Sequence, residues 1–243
     1  MNGLIKDKFR AAGIHLLISL FLALICFLLV YLVWYPSPLV KATGVGGLFL
    51  MMLGIDLVLG PAFTFIVYKK LKKTLKLDLC IIAIIQLSAM IYGVYSMYEG
   101  RPVWIAFAGD RFESVRANEV IINSDHYKAP LLSPEYIDVE TKPKTAKEQL
   151  DMMLSEAQSN ISPAQQSKYH RSFDFAKAKI AQKAMDLAEL KKYNDSNDIN
   201  HVLQKYPQAT AWLPLKASVM DMVVLVNQQK GEVIKIVDLR PWN

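Results

Sequence analysis

Apolar and polar positions divide this chain into two unlike parts. Through the first 98 residues the apolar positions run in three long blocks, at 14–35, 44–68 and 77–98. A helix needs about 20 apolar residues to cross a bilayer core, so each block predicts a transmembrane helix. The first block holds no charge, the second has Asp56 near its middle, and the third has Asp78 only at its mouth.

Beyond residue 98 the pattern shortens and alternates. Val103-Trp104-Ile105-Ala106-Phe107 is a β-branched and aromatic run, followed by Gly109-Asp110 and then Phe112-Glu113-Ser114-Val115. That spacing predicts a hairpin, with Gly109 supplying the positive φ of a tight turn. The stretch broken by Pro130, Pro134 and Pro143 is expected to be mostly loop. Thr145 and Glu148 have capping-box spacing, and Ala146, Leu150, Met153, Leu154 and Ala157 mark the expected core face of the helix they open. Ser162-Pro163 is a second start signal. The stripe Tyr169, Phe173, Ala176, Ile180, Ala184 and Leu187 then predicts a helix of about 25 residues, and a shorter helix is expected over 197–205. Two β-rich runs, 219–227 and 232–239, flank Gly231 and predict a closing hairpin. The first is apolar on both faces, which places it centrally in a sheet.

The predicted fold class is therefore a membrane protein: a three-helix membrane domain over 1–98, then an α+β extracytoplasmic domain over 99–243 with two β-hairpins around a helical middle. The first block exceeds the roughly 7 to 15 residues of a cleavable signal's apolar region, and Pro36-Ser37-Pro38 follows it without an A-x-A-like site. A retained anchor is the expectation.

Charge orients these spans. Lys6, Lys8 and Arg10 precede the first, and Lys69, Lys70, Lys72, Lys73 and Lys76 follow the second, whereas the loop 36–43 carries only Lys41. Positive loops stay cytoplasmic, so the N-terminus is expected inside and residues 99–243 outside. Trp34, Tyr35, Tyr92, Tyr95 and Tyr98 crowd the outer ends, as interfacial aromatics do. The net charge of +6 lies wholly in the first 98 residues, which hold 9 Lys and Arg against 3 Asp and Glu. The remainder holds 19 of each. A neutral outer domain without a basic stripe gives no support to nucleic-acid binding. Both cysteines, Cys26 and Cys80, fall in the spans, so the outer domain must be held by its core alone.

Asp56 carries the sharpest chemical signal, because an ionisable group at mid-bilayer costs about 2.5 to 3.5 kcal/mol on insertion scales. Contact with a client helix, pairing with polar groups such as Gln86 or Ser88, and a proton relay are the three readings. Gly60-Pro61 can kink the same helix, and Gly47, Gly54 and Gly60, with Gly44 and Gly46, give the span small faces for close helix approach. One intramembrane acid and no inverted repeat argue against a transporter. His15, His126, His170 and His201 show no metal-ligand spacing, and no nucleophile, P-loop or dinucleotide motif occurs. No catalytic residue, metal or cofactor is expected. Gly109-Asp110 is the dipeptide of some intramembrane aspartyl peptidases, but it lies on a predicted outer turn, where both residue types are at home.

The three spans followed by Arg101-Pro102-Val103-Trp104 and Phe107-Ala108-Gly109-Asp110-Arg111-Phe112 resemble the type IV pilin accessory proteins of the TfpX/TfpZ type. The resemblance implies a Gram-negative inner-membrane protein that assists pilus assembly through the pilin; from the residues themselves, the lack of a catalytic motif predicts that it is not an enzyme, and the spans predict contact with membrane lipid. Its rivals are a periplasm-facing modifying enzyme, using acids such as Asp110, Glu113 and Asp125, and a membrane sensor.

Overall fold

The computed structural model describes residues 2–124, 128–143 and 145–242. It divides into two compact units. A helical unit comprises 1–33 and 45–99, and a sheet unit comprises 34–44 and 100–243.

The helical unit contains three helices long and apolar enough to cross a membrane. The first is α1 (Asn2–Leu28), extended by a wider π-helical segment, Leu29–Trp34. The second is composite: α3 (Val45–Leu53), a π segment Gly54–Leu59, and α4 (Gly60–Val67). The third is α5 (Leu75–Glu99). Helix α1 packs on α4, and both α3 and α4 pack on α5. The outward residues of these helices are apolar, among them Leu17, Leu50, Met51 and Ile91, each about two-thirds exposed in a structure that contains no lipid.

The sheet unit is α+β, built on one mixed sheet of order β4-β3-β1-β2-β6-β7-β8, with β5 also pairing β6. Its strands are β1 (Pro102–Ala108), β2 (Arg111–Arg116), β3 (Glu135–Val139), β4 (His170–Arg171), β5 (Met185–Asp186), β6 (Ala211–Lys216), β7 (Met222–Asn227) and β8 (Glu232–Val237). Both predicted hairpins form, β1 with β2 and β7 with β8, and parallel pairing of β2 with β6 joins them in one sheet. Strand β7 is internal, between β6 and the edge strand β8 rather than at the centre of the sheet, and is buried on both faces. Met222, Val224 and Val226 enter one core with Ile105, Phe107, Phe112 and Ile180, while Val223 and Leu225 enter another with Leu190, Ile199 and Trp212. Alternation of side chains along a strand produces that division.

The segment between the first two spans also belongs to the sheet unit. Leu39 and Ala42, on the short helix α2 (Leu39–Thr43), are buried in the first of these cores. The N–H groups of Val219 and Met220 donate to the Ala42 carbonyl at 3.0 and 3.1 Å. Gly44 ends α2 at φ +71°, where a Cβ would come within 3.0 Å of Val219. Glycine is the residue that suits both demands.

Three local expectations are corrected. The helix α6 (Ala146–Ser159) is capped by Thr145 as predicted, but Leu150, Met153 and Leu154 are exposed and Met152 is the residue it buries. The long helix expected from Tyr169 is broken into short 3-10 turns, two brief strands and α7 (Lys177–Lys183). Ser172 and Asp186 each cap a new turn through their own side chains, and the extended Met185 and Asp186 pair with β6. Competing local hydrogen bonds of this kind are what Ser and Asp offer against a continuing helix. The stretch expected to be loop contains β3, which lies parallel to β1. The last helix, α8 (Ser196–Lys205), falls where predicted, capped by Asp195.

Candidate functional site

Sequence places one acid in mid-span, and the structure shows what surrounds it. Pro61 has no N–H, and the helix before it widens, Gly60 donating to Ile55 five residues back. In that register the Asp56 carbonyl would need the N–H of residue 61, which proline lacks. The side chain of Gln86 from α5 takes the role, its Nε2 donating to Asp56 O at 3.4 Å. Gly60 makes room for it, since a Cβ there would fall 2.0 Å from Gln86 Nε2. Gly60, Pro61, Asp56 and Gln86 thus form one local solution to a missing backbone donor. Of the two pairing partners read from the sequence, Gln86 is buried at this point and Ser88 is exposed.

Around this join lies a cavity of about 150 Å³ lined by residues of all three spans, with His15, Ser19, Asp56 and Gln86 as its polar members. Ser19, Asp56 and Gln86 are each more than nine-tenths buried, and Gln86 Oε1 has no hydrogen-bond partner among the described residues. His15 Nδ1 shares a 2.6 Å hydrogen bond with the buried Thr64 hydroxyl one turn beyond Pro61. π-helical bulges gather at functional sites, and ionisable groups inside membranes are functional candidates by default. Chemically, the cavity offers acceptors to a donor entering from the bilayer. His15, Ser19 and Thr64 carry no sequence signal of their own, because single polar residues in an apolar block fit no motif. Gly47 and Gly54 have no atom within 4 Å of a Cβ position, so both leave open space on the second span, whereas the space at Gly60 is filled by Gln86.

The Arg101 to Phe112 motif is built into the sheet. Buried Arg101 donates from Nη2 to Pro130 O at 3.0 Å, and its carbonyl accepts from Ala117 N. Pro102 opens β1, and Trp104 meets the His170 ring edge-on at 5.8 Å. Burial holds the His170 imidazole below its ordinary pKa, partly opposed by its bond to the Ala164 carbonyl. Gly109 turns the chain at φ +79°, exposed Asp110 takes Arg111 Nε at 3.0 Å, and Phe112 is fully buried against Phe107. The motif fixes a hairpin. Asp110 stays with Arg111 at that turn, while Glu113 lines a separate polar crevice of about 300 Å³ with Glu119 and Glu156. Glu119 there is held by Arg116 at 2.6 Å. Asp125 and His126 lie outside the described residues.

One buried acid escaped sequence reading because it lies in the stretch taken for loop. Asp138 on β3 is fully buried and accepts from Arg171 Nε at 2.5 Å and Lys179 Nζ at 3.0 Å, with Glu140 completing the group on Arg171. Among the described residues no group of three His, Cys, Asp or Glu could hold a metal ion.

Comparison with known proteins bears on both units. A family model described as "Fimbrial assembly protein FimB" matches residues 4–44. The "Fimbrial assembly protein, serogroup I" of Dichelobacter nodosus is 38% identical over 130 residues, covering 52% of this chain and 49% of that protein. The protein of serogroups C1 and C2 from the same organism is 38% identical over 117 residues, covering 47% of this chain and 88% of its own length. The chain spans about half the length of the serogroup I and E1 relatives. No solved structure matches. With this identity over nearly all of one such protein, the chain belongs to the fimbrial assembly proteins, the type IV pilus accessory family that its Arg101 to Phe112 motif resembles.

Proposed function

We propose that this chain is a non-enzymatic accessory factor of type IV pilus assembly in the bacterial inner membrane, and that it binds the pilin through its spans and its sheet unit. The observation that carries the reading is the identity to fimbrial assembly proteins. The structure adds a place to act: a partly unsatisfied polar cavity inside the spans, beside a second span left open at Gly47 and Gly54. A client helix would lie along that span and offer a donor to Asp56. The charge bias puts Lys69 to Lys76 in the cytoplasm and the sheet unit in the periplasm.

Deleting the gene should reduce surface pili while the pilin stays processed and of unchanged mass. Asp56→Leu should leave the protein inserted and abundant, since it removes an insertion penalty, and should still reduce piliation. Normal piliation at normal protein level would deny Asp56 a role. A second reading, a periplasm-facing modifying enzyme, has the crevice at Glu113 and Glu156 in its favour. A pilin mass shift on deletion, reproduced by Glu113→Gln at full protein level, would establish it over the accessory role. For topology, cysteines at Lys41 and Lys230, in a background lacking Cys26 and Cys80, should react with an impermeant thiol reagent in spheroplasts. One at Lys72 should not, and labelling at Lys72 alone would reverse the orientation.

A further inference from the structure

At the lysine-rich end of the helical unit the first and third spans diverge. Between them opens a crevice of about 610 Å³, walled by Ile14 and Ile18 of α1 and Leu79 and Ala83 of α5, with the His15–Thr64 pair also on its lining. Its mouth carries Arg10 and Lys70, with Asp7 and Tyr68 beside them. We propose that this crevice binds one anionic phospholipid, its phosphate held between Arg10 and Lys70 and the upper part of an acyl chain lying on the apolar walls. The crevice shares His15, Ile18 and Ala83 with the lining of the Asp56 cavity, but a bound lipid is read without reference to the proposed pilin contact.

Topology alone explains why lysines are abundant at this end, but not how they are disposed. Lys72 has Asp78 at 2.6 Å, and Lys8 donates to the Ile66 carbonyl and sits over the Phe65 ring. Lys6, Lys69, Lys73 and Lys76 are unpaired among the described residues but lie off the crevice lining, and Arg10 and Lys70 differ in lying on it. They come from separate segments, line the same opening, and have no ion-pair or hydrogen-bond partner among the described residues. Two unmatched cations above a mainly apolar slot complement an amphiphile with a negative head and a hydrocarbon tail. Basic pockets between transmembrane helices bind lipid headgroups on these terms. Asp7, the one acid at the mouth, suits a headgroup that carries a hydroxyl donor beside its phosphate, as phosphatidylglycerol does.

The test uses the full chain, reconstituted in vesicles of equal parts phosphatidylglycerol and phosphatidylcholine, extracted gently and weighed by native mass spectrometry. One retained phosphatidylglycerol is expected on the wild type. Attraction of about 1 kcal/mol per cation corresponds to roughly fivefold each, so Arg10→Gln with Lys70→Gln should lower its occupancy about 25-fold. Lys69→Gln with Lys76→Gln removes the same charge from outside the crevice and should leave occupancy near wild type. Ala83→Phe fills the slot from an exposed position, keeps every charge, and should also displace the lipid. If the first double variant does not survive extraction, Ala83→Phe decides alone. Equal loss in both double variants would reduce the effect to diffuse attraction and overturn the site. So would equal retention of phosphatidylcholine, or a co-isolated polypeptide in the lipid's place.

Discussion

The two units hold their buried acids in different ways. In the sheet unit, Asp138 is fully buried and satisfied by Arg171 and Lys179. In the helical unit, Asp56 is almost as deeply buried, but its neighbour Gln86 keeps a bare acceptor and a cavity lies beside them. A saturated network stabilises and specifies a fold. An unsaturated one inside a membrane segment is expensive, and in the helical unit it lies where three spans meet; among the described residues the sheet unit leaves Ser114 Oγ, Gln166 Nε2 and Tyr169 OH bare as well. The contrast separates a buried acid complete in its partners from one set beside a cavity with an acceptor left to bind.

The sharpest way to break the comparison is to unsaturate the Asp138 network. All four tryptophans lie in that unit, so their fluorescence follows its unfolding in detergent. Removing one member of a buried ion pair costs about 3 to 5 kcal/mol. Asp138→Ala should fall near the lower end, since Arg171 and Lys179 are each about one-third exposed and water can reach them. An unchanged denaturant midpoint would mean that the network contributes nothing.

A comparable loss is expected from the loop between the spans. Leu39 lies outside the C-terminal stretch yet is buried in the sheet core, so Leu39→Ala should lower the unfolding free energy read from the same transition by about 2 to 5 kcal/mol. Leu50, on a span and two-thirds exposed, should change it by less than about 0.5 kcal/mol when made alanine. If Leu39→Ala behaved like Leu50→Ala, residues 34–44 would have to be assigned to the helical unit.

Glycines on the second span sharpen the other side. Gly60→Ala drives a Cβ into Gln86, an overpacking of about 1 to 3 kcal/mol, and should lower protein abundance. Gly47→Ala meets nothing within the chain and, with alanine the better helix former, should leave abundance intact. If Gly47 faces a client, its alanine variant should lower piliation at full protein level. Normal pili would leave Gly47 as a permissive residue.

Most of this contrast was legible in part. The spans, Asp56, the hairpins and the turn at Gly109 follow from periodicity and residue type alone. Gln86 was readable as a polar partner, but its use is not, because the link runs through a backbone carbonyl that Pro61 leaves without a donor. Two strands were hidden for different reasons. Glu135–Val139 is short and framed by prolines. Ala211–Lys216 contains Pro214, which is tolerated because β5 pairs at 211 and 212 and β2 at 215 and 216, leaving position 214 in the gap. The apolar face of α6 read as core because an exposed apolar stripe and a buried one share a period.

The smallest expected effect is a pH dependence confined to the sheet unit. Burial favours the neutral form of His170, so its folded pKa lies below the ordinary 6.5, the Ala164 carbonyl opposing only in part. Above pH 6.5 neither folded nor unfolded chain protonates this residue and its contribution to stability is whole. As pH falls through 6.5 the unfolded chain takes up a proton that the folded one refuses, and stability drops until the folded imidazole titrates too. Asp174, whose carboxylate Lys177 holds below its ordinary 3.8, acts only at lower pH, so the windows do not overlap. The tryptophan-monitored midpoint should therefore decline between pH 7.5 and 5.5. His170→Gln, which can still donate to Ala164, should flatten that decline while altering the pH 7.5 value less. An equal slope in both proteins would show that His170 is not the group being titrated.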